Sequence, residues 1–307
     1  MRFVQPARIT HLWHCASREV GGLRVGRASV LNEIYHSLDP VAFSIGPYEA
    51  RWYGIAYVLG FLLAGLVMFR TSKRWRLGLS GDHAMVIVLS VAVGVIVGAR
   101  LFYVLFYGLS YYIAHPSHIL LFNEGGMSFH GGLVGGIIGG AIACRVLGIS
   151  FFTMLDLCVI GAPIGLFFGR IANFINGELW GKPTDLPWGV VFETGGSVAR
   201  HPSQLYEAIL EGAVIFIVLF VLSRRVPPRP RGTFIGTFLT MYGVFRFLIE
   251  FVREPDAQLG YLFGGWVTMG QVLSAPLVVA GIAILILAHK RKCPQSLRTG
   301  SPISEIV

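Results

Sequence analysis

The chain has 307 residues, of which 54% are hydrophobic and only 13% are charged. Soluble proteins carry about a quarter charged residues, so this composition excludes a soluble globular protein and indicates an integral membrane protein. The net charge of +9 does not indicate nucleic-acid binding, because few basic residues lie outside short loops, where they report membrane orientation. The scattered cysteines form no C-x-x-C pair, which argues against a disulfide framework or a zinc site.

The N-terminal segment, residues 1–34, contains several arginines but no apolar run long enough for the core of a signal peptide. It sustains neither a helical nor a strand period. Roughly the first 28 residues are predicted to be disordered or to come from an overlong gene start, and the sequence does not separate these alternatives. Residues 35–290 are predicted to form the membrane domain and residues 291–307 a cytoplasmic tail.

Seven apolar runs follow, and each except the short third has about the 17–25 residues that a membrane-spanning helix needs. They are Trp52–Phe69, Ala84–Phe106, Gly131–Val146, Phe151–Phe168, Leu205–Leu222, Thr233–Phe251 and Val267–Ala288. Arginines and lysines cluster after the first, fifth and seventh runs, whereas residues 107–129 and 253–266 contain only Arg253. By the positive-inside rule, residue 52 lies outside and the C-terminus in the cytoplasm. The predicted fold is an all-α integral membrane protein with seven transmembrane helices, N-out and C-in.

Two segments outside the apolar runs are predicted to lie on the outer surface. Residues 110–122 are uncharged and too short to span, which favours an interfacial arm. Residues 171–204 form the only sizeable loop and are predicted to make a small periplasmic head.

Glycines recur every four residues in the third and fourth runs, a spacing that lets helix backbones approach closely in lipid. Because the connection between these runs is short, we expect an antiparallel hairpin with one tight seam. Such a hairpin would place His130 and Arg170 together at the outer end. The simpler interpretations are that His130 caps or packs a helix and that Arg170 snorkels to the interface.

Most of the polar side chains map to the outer half of the predicted bundle. They are Arg100, His130, Arg170, Asn173, Glu178, Gln204, Glu207, Arg246 and Glu250. Tyr242, Arg246 and Glu250 share one helix face. Independent snorkelling would scatter such residues over both leaflets, so we predict a polar cavity at headgroup depth. Arginines there suit a phosphate, and histidine suits proton transfer near neutral pH. These residues predict group transfer from an anionic phospholipid without naming the acceptor.

Four motifs together resemble one family. They are F-H-G-G-L-V-G at 129–135, G-R-I-A-N-F-I-N-G-E-L-W-G at 169–181, R-H-P-S-Q-L-Y-E at 200–207 and Y-G-V-F-R-F-L-I-E-F-V-R-E-P-D at 242–256. Over residues 35–290 the chain resembles the bacterial prolipoprotein diacylglyceryl transferases. The resemblance implies transfer of the diacylglyceryl group of phosphatidylglycerol to the lipobox cysteine of a prolipoprotein signal peptide. It further implies a thioether product, release of glycerol 1-phosphate, no metal or nucleotide cofactor, and a place in the bacterial inner membrane.

The resemblance also implies the site residues. The motif positions are Tyr53, His130, Arg170, Asn173, Glu178, Gly181, Tyr242, Arg246 and Glu250. We predict that Arg170 and Arg246 hold the lipid phosphate while Glu178 and Glu250 orient the loop and the arginines. His130 is the expected base that favours the cysteine thiolate, although clustered arginines alone would also favour it. Tyr53 and Tyr242 join the catalytic set by resemblance, and Arg100, Gln204 and Glu207 are further candidates.

Two other classes of protein are alternatives to this function. A transporter or flippase for an anionic lipid or sugar phosphate needs a polar route through the inner half and ideally an internal repeat. The sequence has neither feature. An intramembrane hydrolase is disfavoured because the sequence lacks G-x-S-x-G and an ordered Ser–His–Asp set.

Overall fold

The computed structural model describes residues 29–46, 48–121, 125–255 and 260–297. Its helices are α1 (Val30–Ser37), α2 (Trp52–Arg74), α3 (Gly81–Tyr107), α4 (Leu109–Ala114), α5 (Phe129–Val146), α6 (Phe151–Asn176), α7 (Ser203–Glu207), α8 (Ile215–Ser223), α9 (Thr233–Ile249), α10 (Phe263–Trp266) and α11 (Met269–Arg291). Two antiparallel hairpins pair β1 (Val41–Ile45) with β2 (Tyr48–Arg51) and β3 (Tyr261–Leu262) with β4 (Val267–Thr268). Residues 1–28, predicted to be disordered or an overlong start, lie outside the described residues.

Six described helical stretches are long and apolar enough to cross a membrane. They are α2, α3, α5, α6, α11 and the continuous stretch Ser203–Ser223, in which the π-helical segment Ala208–Val214 joins α7 to α8. The apolar helix α9 has 17 residues. A mostly helical, multi-pass membrane protein is therefore confirmed.

The glycines of α5 pack against α3. A Cβ atom added at Gly135 would lie 2.9 Å from the Cα of Gly98, and one at Gly136 would lie 2.9 Å from a methyl of Val95. Contacts between α5 and α6 are few by comparison. The predicted seam between the third and fourth membrane helices is therefore wrong. Four-residue glycine spacing defines a face that accepts a close neighbour, but it does not specify which helix that neighbour is.

The glycines of α6 pack against α2 in the same way. A Cβ atom at Gly161 would lie 2.7 Å from the Cα of Ala64, and one at Gly60 would lie 2.9 Å from the Cα of Gly165. One turn further along α6, a Cβ atom at Gly169 would meet nothing within 4 Å. Open space therefore lies beside Gly169, one turn beyond the closest contacts between α2 and α6, and we call it the α2–α6 opening.

Helix α6 continues to Asn176, beyond the predicted apolar run that ended at Phe168. It ends at Gly177, whose left-handed conformation (φ 67°) is one that glycine adopts without steric cost. The predicted start of the head at residue 171 therefore falls inside a helix. Arg170 and Asn173 project from a rigid element rather than from a loop.

Helix α1 packs onto the head that follows α6. Tyr35 is buried against the rings of Phe174 and Phe192, and Asn32 Oδ1 accepts a hydrogen bond of 2.8 Å from the amide of Val191. The predicted domain boundary at residue 35 thus lies within α1. The chain joins the head from residue 29 onward.

At the opposite end of the bundle, Asp156 organises the chain around the start of α9. Its carboxylate accepts hydrogen bonds from the amides of Gly232 (2.7 Å) and Ile235 (2.9 Å) and from Nε2 of Gln295 (2.7 Å). A carboxylate is favourable at a helix N-terminus, where backbone amides lack partners. Residues 292–297 of the predicted tail therefore fold back onto the bundle, where the carbonyl of Leu297 accepts from the amide of Ser150.

Candidate active site at a buried arginine–glutamate cluster

Three arginines and three glutamates meet at the end of the bundle that carries the head. We call Arg170, Glu207, Glu211, Arg246, Glu250 and Arg253 the arginine–glutamate cluster. The three carboxylates are almost completely buried. Buried charges are tolerated when they are paired, and the formal charges of these six side chains cancel.

Glu207 is the centre of the cluster. Its Oε1 accepts a hydrogen bond of 2.6 Å from Nη1 of Arg246, and its Oε2 lies 3.1 Å from Nε of Arg170. Nε of Arg253 lies 3.9 Å from the same carboxylate. One side chain, which the sequence offered only as a further candidate, therefore joins both of the predicted phosphate-binding arginines.

Glu250 connects the cluster to α11. Its Oε1 pairs with Arg246, as their four-residue spacing predicts, and lies 3.4 Å from Nη1 of Arg253. Its Oε2 accepts a hydrogen bond of 2.5 Å from Oγ1 of Thr268, the N-cap residue of α11. A Cβ atom at Gly270 would overlap the carboxylate. Glu250 is held against a helix N-terminus, which favours its negative charge.

Glu211 lies in the π-helical segment and is completely buried. Its Oε2 is 3.7 Å from Nη2 of Arg170, and neither oxygen accepts a hydrogen bond from a described residue. Sequence analysis missed Glu211, Arg253 and Thr268 as members of the site. The available signal was a glutamate four residues after Glu207 in an apolar stretch, since ionisable residues inside a membrane segment are commonly functional.

Arg170 faces three tyrosines as well as the two glutamates. It interacts electrostatically with Tyr57 and with the predicted catalytic residues Tyr53 and Tyr242. The hydroxyls of Tyr53 and Tyr57 lie 3.4 Å apart on α2, beside the α2–α6 opening. Among the described residues Arg170 makes ion pairs but no hydrogen bond, and its side chain is 18% exposed. Its N–H groups are therefore available to an incoming anion.

Three predicted site residues shape the turn after α6. Glu178 Oε1 accepts hydrogen bonds from the side-chain amides of Asn173 (2.8 Å) and Asn176 (3.2 Å). The backbone carbonyl of Glu178 accepts one of 2.7 Å from Nε2 of Gln204. These contacts tie the end of α6 to the start of α7, and so place Arg170 opposite Glu207.

Gly181 lies between two backbone segments. Its amide donates to the carbonyl of His201 at 2.9 Å, and it forms a bridge with Arg253 on its other side. A Cβ atom here would lie 2.6 Å from both the Cβ of His201 and the carbonyl oxygen of Val252. The position requires glycine for close packing, and this packing brings Arg253 to the cluster.

Arg100 lies outside the cluster, although the sequence grouped it with the outer-half polar residues. Its guanidinium donates to five backbone carbonyls of the arm and the segment after it. They belong to His118, Ile119, Leu121, Gly125 and Gly126. Since a guanidinium has five N–H donors, this side chain is fully used in anchoring the arm to α3.

His130 is exposed at the start of α5. It lines a cavity of about 450 Å³ with Tyr103, Tyr107 and Ser128. Among the described residues no hydrogen bond, ion pair or ring contact joins His130 to Arg170 or Arg246. The predicted apposition depended on packing α5 against α6, and the glycines of α5 pack instead on α3. The described residues also contain no group of three His, Cys, Asp or Glu side chains suited to a metal ion.

Fold and cluster define a multi-pass membrane protein with paired arginines buried at one end of its helix bundle. The model of one family, described as prolipoprotein diacylglyceryl transferase, matches residues 40–287. The chain belongs to this family.

Curated relatives carry the same activity in their names. The phosphatidylglycerol–prolipoprotein diacylglyceryl transferase of Geobacter sulfurreducens is 51% identical over 255 residues, covering 83% of this chain and 97% of the relative. The enzyme of that name from Pseudomonas aeruginosa is 49% identical over 261 residues, covering 85% and 97%. The one from Nitratidesulfovibrio vulgaris is 50% identical over 252 residues, covering 81% and 94%.

Proposed function

We propose that the protein transfers the diacylglyceryl group of phosphatidylglycerol to the lipobox cysteine of prolipoprotein signal peptides, the first step of lipoprotein maturation. The observation that carries this proposal is the pairing of Arg170 and Arg246 on Glu207, next to the α2–α6 opening. Membership of the family indicates the transfer reaction, and the two paired arginines are the proposed binding site for the lipid phosphate.

The reaction exchanges one bond to carbon for another. The cysteine sulfur attacks the glycerol carbon that bears the phosphate ester, forming the thioether. The carbon–oxygen bond breaks, its electron pair stays on the phosphate oxygen, and glycerol 1-phosphate leaves. The thiol proton is removed before or during attack, because the thiolate is the nucleophile. The released phosphate monoester accepts one proton, which balances the reaction.

Arg170 and Arg246 bind the phosphate and stabilise the negative charge that grows on it as the bond breaks. Preorganised donors of this kind are most effective where water is excluded, and the buried acids hold the donors in place without solvent. Glu207 aligns both guanidinium groups, while Glu250 and Thr268 fix Arg246 from the side of α11. Tyr53 and Tyr242, which interact electrostatically with Arg170, orient the lipid headgroup in this mechanism.

His130 remains the proposed base. It lies beside tyrosines in its own cavity, so in this mechanism the cysteine of the peptide enters between that cavity and the arginines. The competing route uses no base, because nearby arginines favour the thiolate electrostatically. Near-normal turnover of His130→Gln, combined with loss of turnover in Arg170→Ala, would eliminate the base role.

We further propose seven membrane crossings, in which α9 is added to the six long apolar stretches and is the sixth in chain order. Its 17 residues span about 26 Å at 1.5 Å per residue, close to the thickness of the hydrocarbon core. The basic loops after α2, α8 and α11 support an N-out, C-in orientation in the bacterial inner membrane. The cluster then lies in the outer half, under a periplasmic head, and the interfacial arm lies on the same side of the membrane.

The direct test incubates purified protein with phosphatidylglycerol and a lipobox peptide and measures released glycerol phosphate. Release is expected with the peptide and not with its Cys→Ser version. Arg170→Ala and Arg246→Ala should abolish release, whereas Arg145→Ala, at an exposed arginine at the end of α5, should leave it unchanged. Release without the cysteine would indicate a lipase and contradict the proposal.

A further inference from the structure

A second cavity lies at the end of the bundle opposite the arginine–glutamate cluster. It encloses about 550 Å³ between the end of α8, the start of α9 and the last turns of α11. Its basic lining residues are Arg229, His289 and Lys290, and its apolar ones include Leu222, Leu285 and Ile286. We call it the inner-end cavity.

The inner-end cavity is separate from the proposed active site. Thr233, in its lining, begins α9, and Arg246 of the cluster lies 13 residues further along that helix. At 1.5 Å per residue the two are about 20 Å apart. A ligand in this cavity therefore does not contact the reacting groups.

No described residue forms an ion pair with the basic side chains of this cavity. The guanidinium of Arg229 makes no hydrogen bond or ion pair with any described residue, and its Nε is inaccessible to solvent. The described residues that line the cavity include no carboxylate, in contrast to the cluster, where each arginine has a glutamate partner. A buried donor without an acceptor is unfavourable, so an anionic oxygen here would complete the site.

The threonine hydroxyls in the cavity lining already donate hydrogen bonds to backbone carbonyls, so the positively charged side chains are the donors available to a ligand. Thr233 Oγ1 already donates to the carbonyl of Pro230 at 2.6 Å, and Thr237 Oγ1 donates to that of Thr233 at 2.8 Å. The other walls are apolar, and Ile286 is 50% exposed on the outer face of α11. The cavity thus combines a cationic pocket with an apolar flank on a membrane helix.

We propose that the inner-end cavity binds an anionic phospholipid, with its phosphate at Arg229 and Lys290 and its acyl chains along α11. Basic pockets between membrane helices bind anionic lipid headgroups. Free phosphate would satisfy the basic residues but would leave the apolar flank unused. A lipid with both parts fits the whole cavity.

The test measures lipid binding by native mass spectrometry of delipidated protein in detergent, titrated with phosphatidic acid or phosphatidylcholine. The variant is Arg229→Gln with Lys290→Gln. The matched control is Arg224→Gln with Arg225→Gln, which removes the same amount of charge from the loop that carries Arg229 but outside the cavity lining. Each basic residue near an anionic lipid contributes about fivefold in affinity. We expect one phosphatidic acid site to weaken about 25-fold in the variant and to persist in the control.

Lys290→Gln alone changes an exposed side chain and should weaken that site about fivefold. This single variant still tests the proposal if the double variant does not fold. Equal phosphatidic acid binding in variant and wild type would overturn the proposal, as would equal losses in variant and control. Equal affinity for phosphatidylcholine would also overturn it. Displacement of the lipid by equimolar inorganic phosphate would assign the cavity to a free anion instead. Glycerol phosphate release, measured in parallel, reports on the active site independently.

Discussion

Glu207 and Glu211 lie one helical turn apart, yet their surroundings differ. Glu207 is hydrogen-bonded to Arg246 and close to Arg170, whereas the ion pair that Glu211 makes among the described residues is with Arg170, at 3.7 Å. Removing one partner of a buried ion pair leaves an uncompensated charge, at a cost of about 3–5 kcal/mol. The alignment of Arg170 and Arg246, the two proposed phosphate-binding arginines, therefore depends on Glu207 far more than on Glu211.

We predict that Glu207→Gln lowers kcat/KM for glycerol phosphate release by about 100-fold or more, because both arginines lose the carboxylate that aligns them. Glu211→Gln, the matched control, should lower it by less than about tenfold, because it removes a longer contact to one arginine. Thermal unfolding in detergent separates loss of alignment from loss of fold. Equal effects of the two substitutions on activity would contradict a central role for Glu207.

A second prediction at the residue scale concerns His201 in the head. Burial, followed by the positive charge of Lys182, lowers the pKa of His201 below its ordinary value of 6.5. Folding therefore favours the neutral ring. The contribution of this group to stability is intact above pH 6.5 and is lost as the pH falls through the lowered pKa of the folded protein.

The measurement is the melting temperature as a function of pH for wild type and His201→Gln. Glutamine does not titrate and retains a polar group near the hydroxyl of Tyr206, which lies 3.3 Å from Nδ1 of His201. Below pH 6.5 the wild type should lose stability faster than the variant. Parallel curves would show that His201 is not a source of acid sensitivity.

At the scale of the elements, the glycines of α6 differ in what faces them. A Cβ atom at Gly161 would lie 2.7 Å from the Cα of Ala64, whereas one at Gly169 would meet nothing within 4 Å. We predict that Gly161→Ala destabilises the protein by about 1–3 kcal/mol through overpacking. Gly169→Ala should be neutral or slightly stabilising, since alanine is the better helix former. Thermal unfolding of both variants in one detergent tests this, and equal stabilities would contradict the close α2–α6 contact.

The sequence predicted the membrane helices well because apolar length is a local property. It predicted their partners poorly. The glycine spacing in α5 identified a close-packing face, but its neighbour, α3, is determined by the shape of the whole bundle. The end of α6 was placed too early for a related reason. Arg170 ends the apolar run, but the helix continues because Glu207 and Glu211, on another segment, pair with that charge.

The candidate site was predicted only in part, because local spacing shows which residues share a helix face but not which elements pack together. Arg246 and Glu250 share a helix face, and their pairing was visible from spacing alone. The central role of Glu207 depends on contacts between α6, α7 and α9, which no local pattern contains. Arg100 matches the other arginines in sequence context, but its five carbonyl partners come from a segment that folds over it.

At the scale of the whole molecule, the two ends of the bundle differ in how far their basic side chains are paired with acidic ones. At the head end the arginines are matched by buried glutamates, and the surrounding loops carry few other cations. At the opposite end, basic residues line the inner-end cavity and follow α2, α8 and α11 without comparable acids. Such asymmetry is the pattern that orients membrane proteins with their basic loops in the cytoplasm. In the proposed orientation, the proposed active site and the inner-end cavity lie in opposite leaflets.

This orientation predicts which cysteines a membrane-impermeant maleimide reaches in spheroplasts. One variant carries Val198→Cys, at an exposed position of the head, as its only cysteine, and another retains only the exposed native Cys293. The remaining cysteines are replaced by serine in each. Residue 198 should be labelled in intact spheroplasts, whereas Cys293 should be labelled only after permeabilisation. A variant that retains only the buried Cys144 is the control and should stay unlabelled until denaturation. Labelling of Cys293 in intact spheroplasts would reverse the orientation and move the active site to the cytoplasmic leaflet.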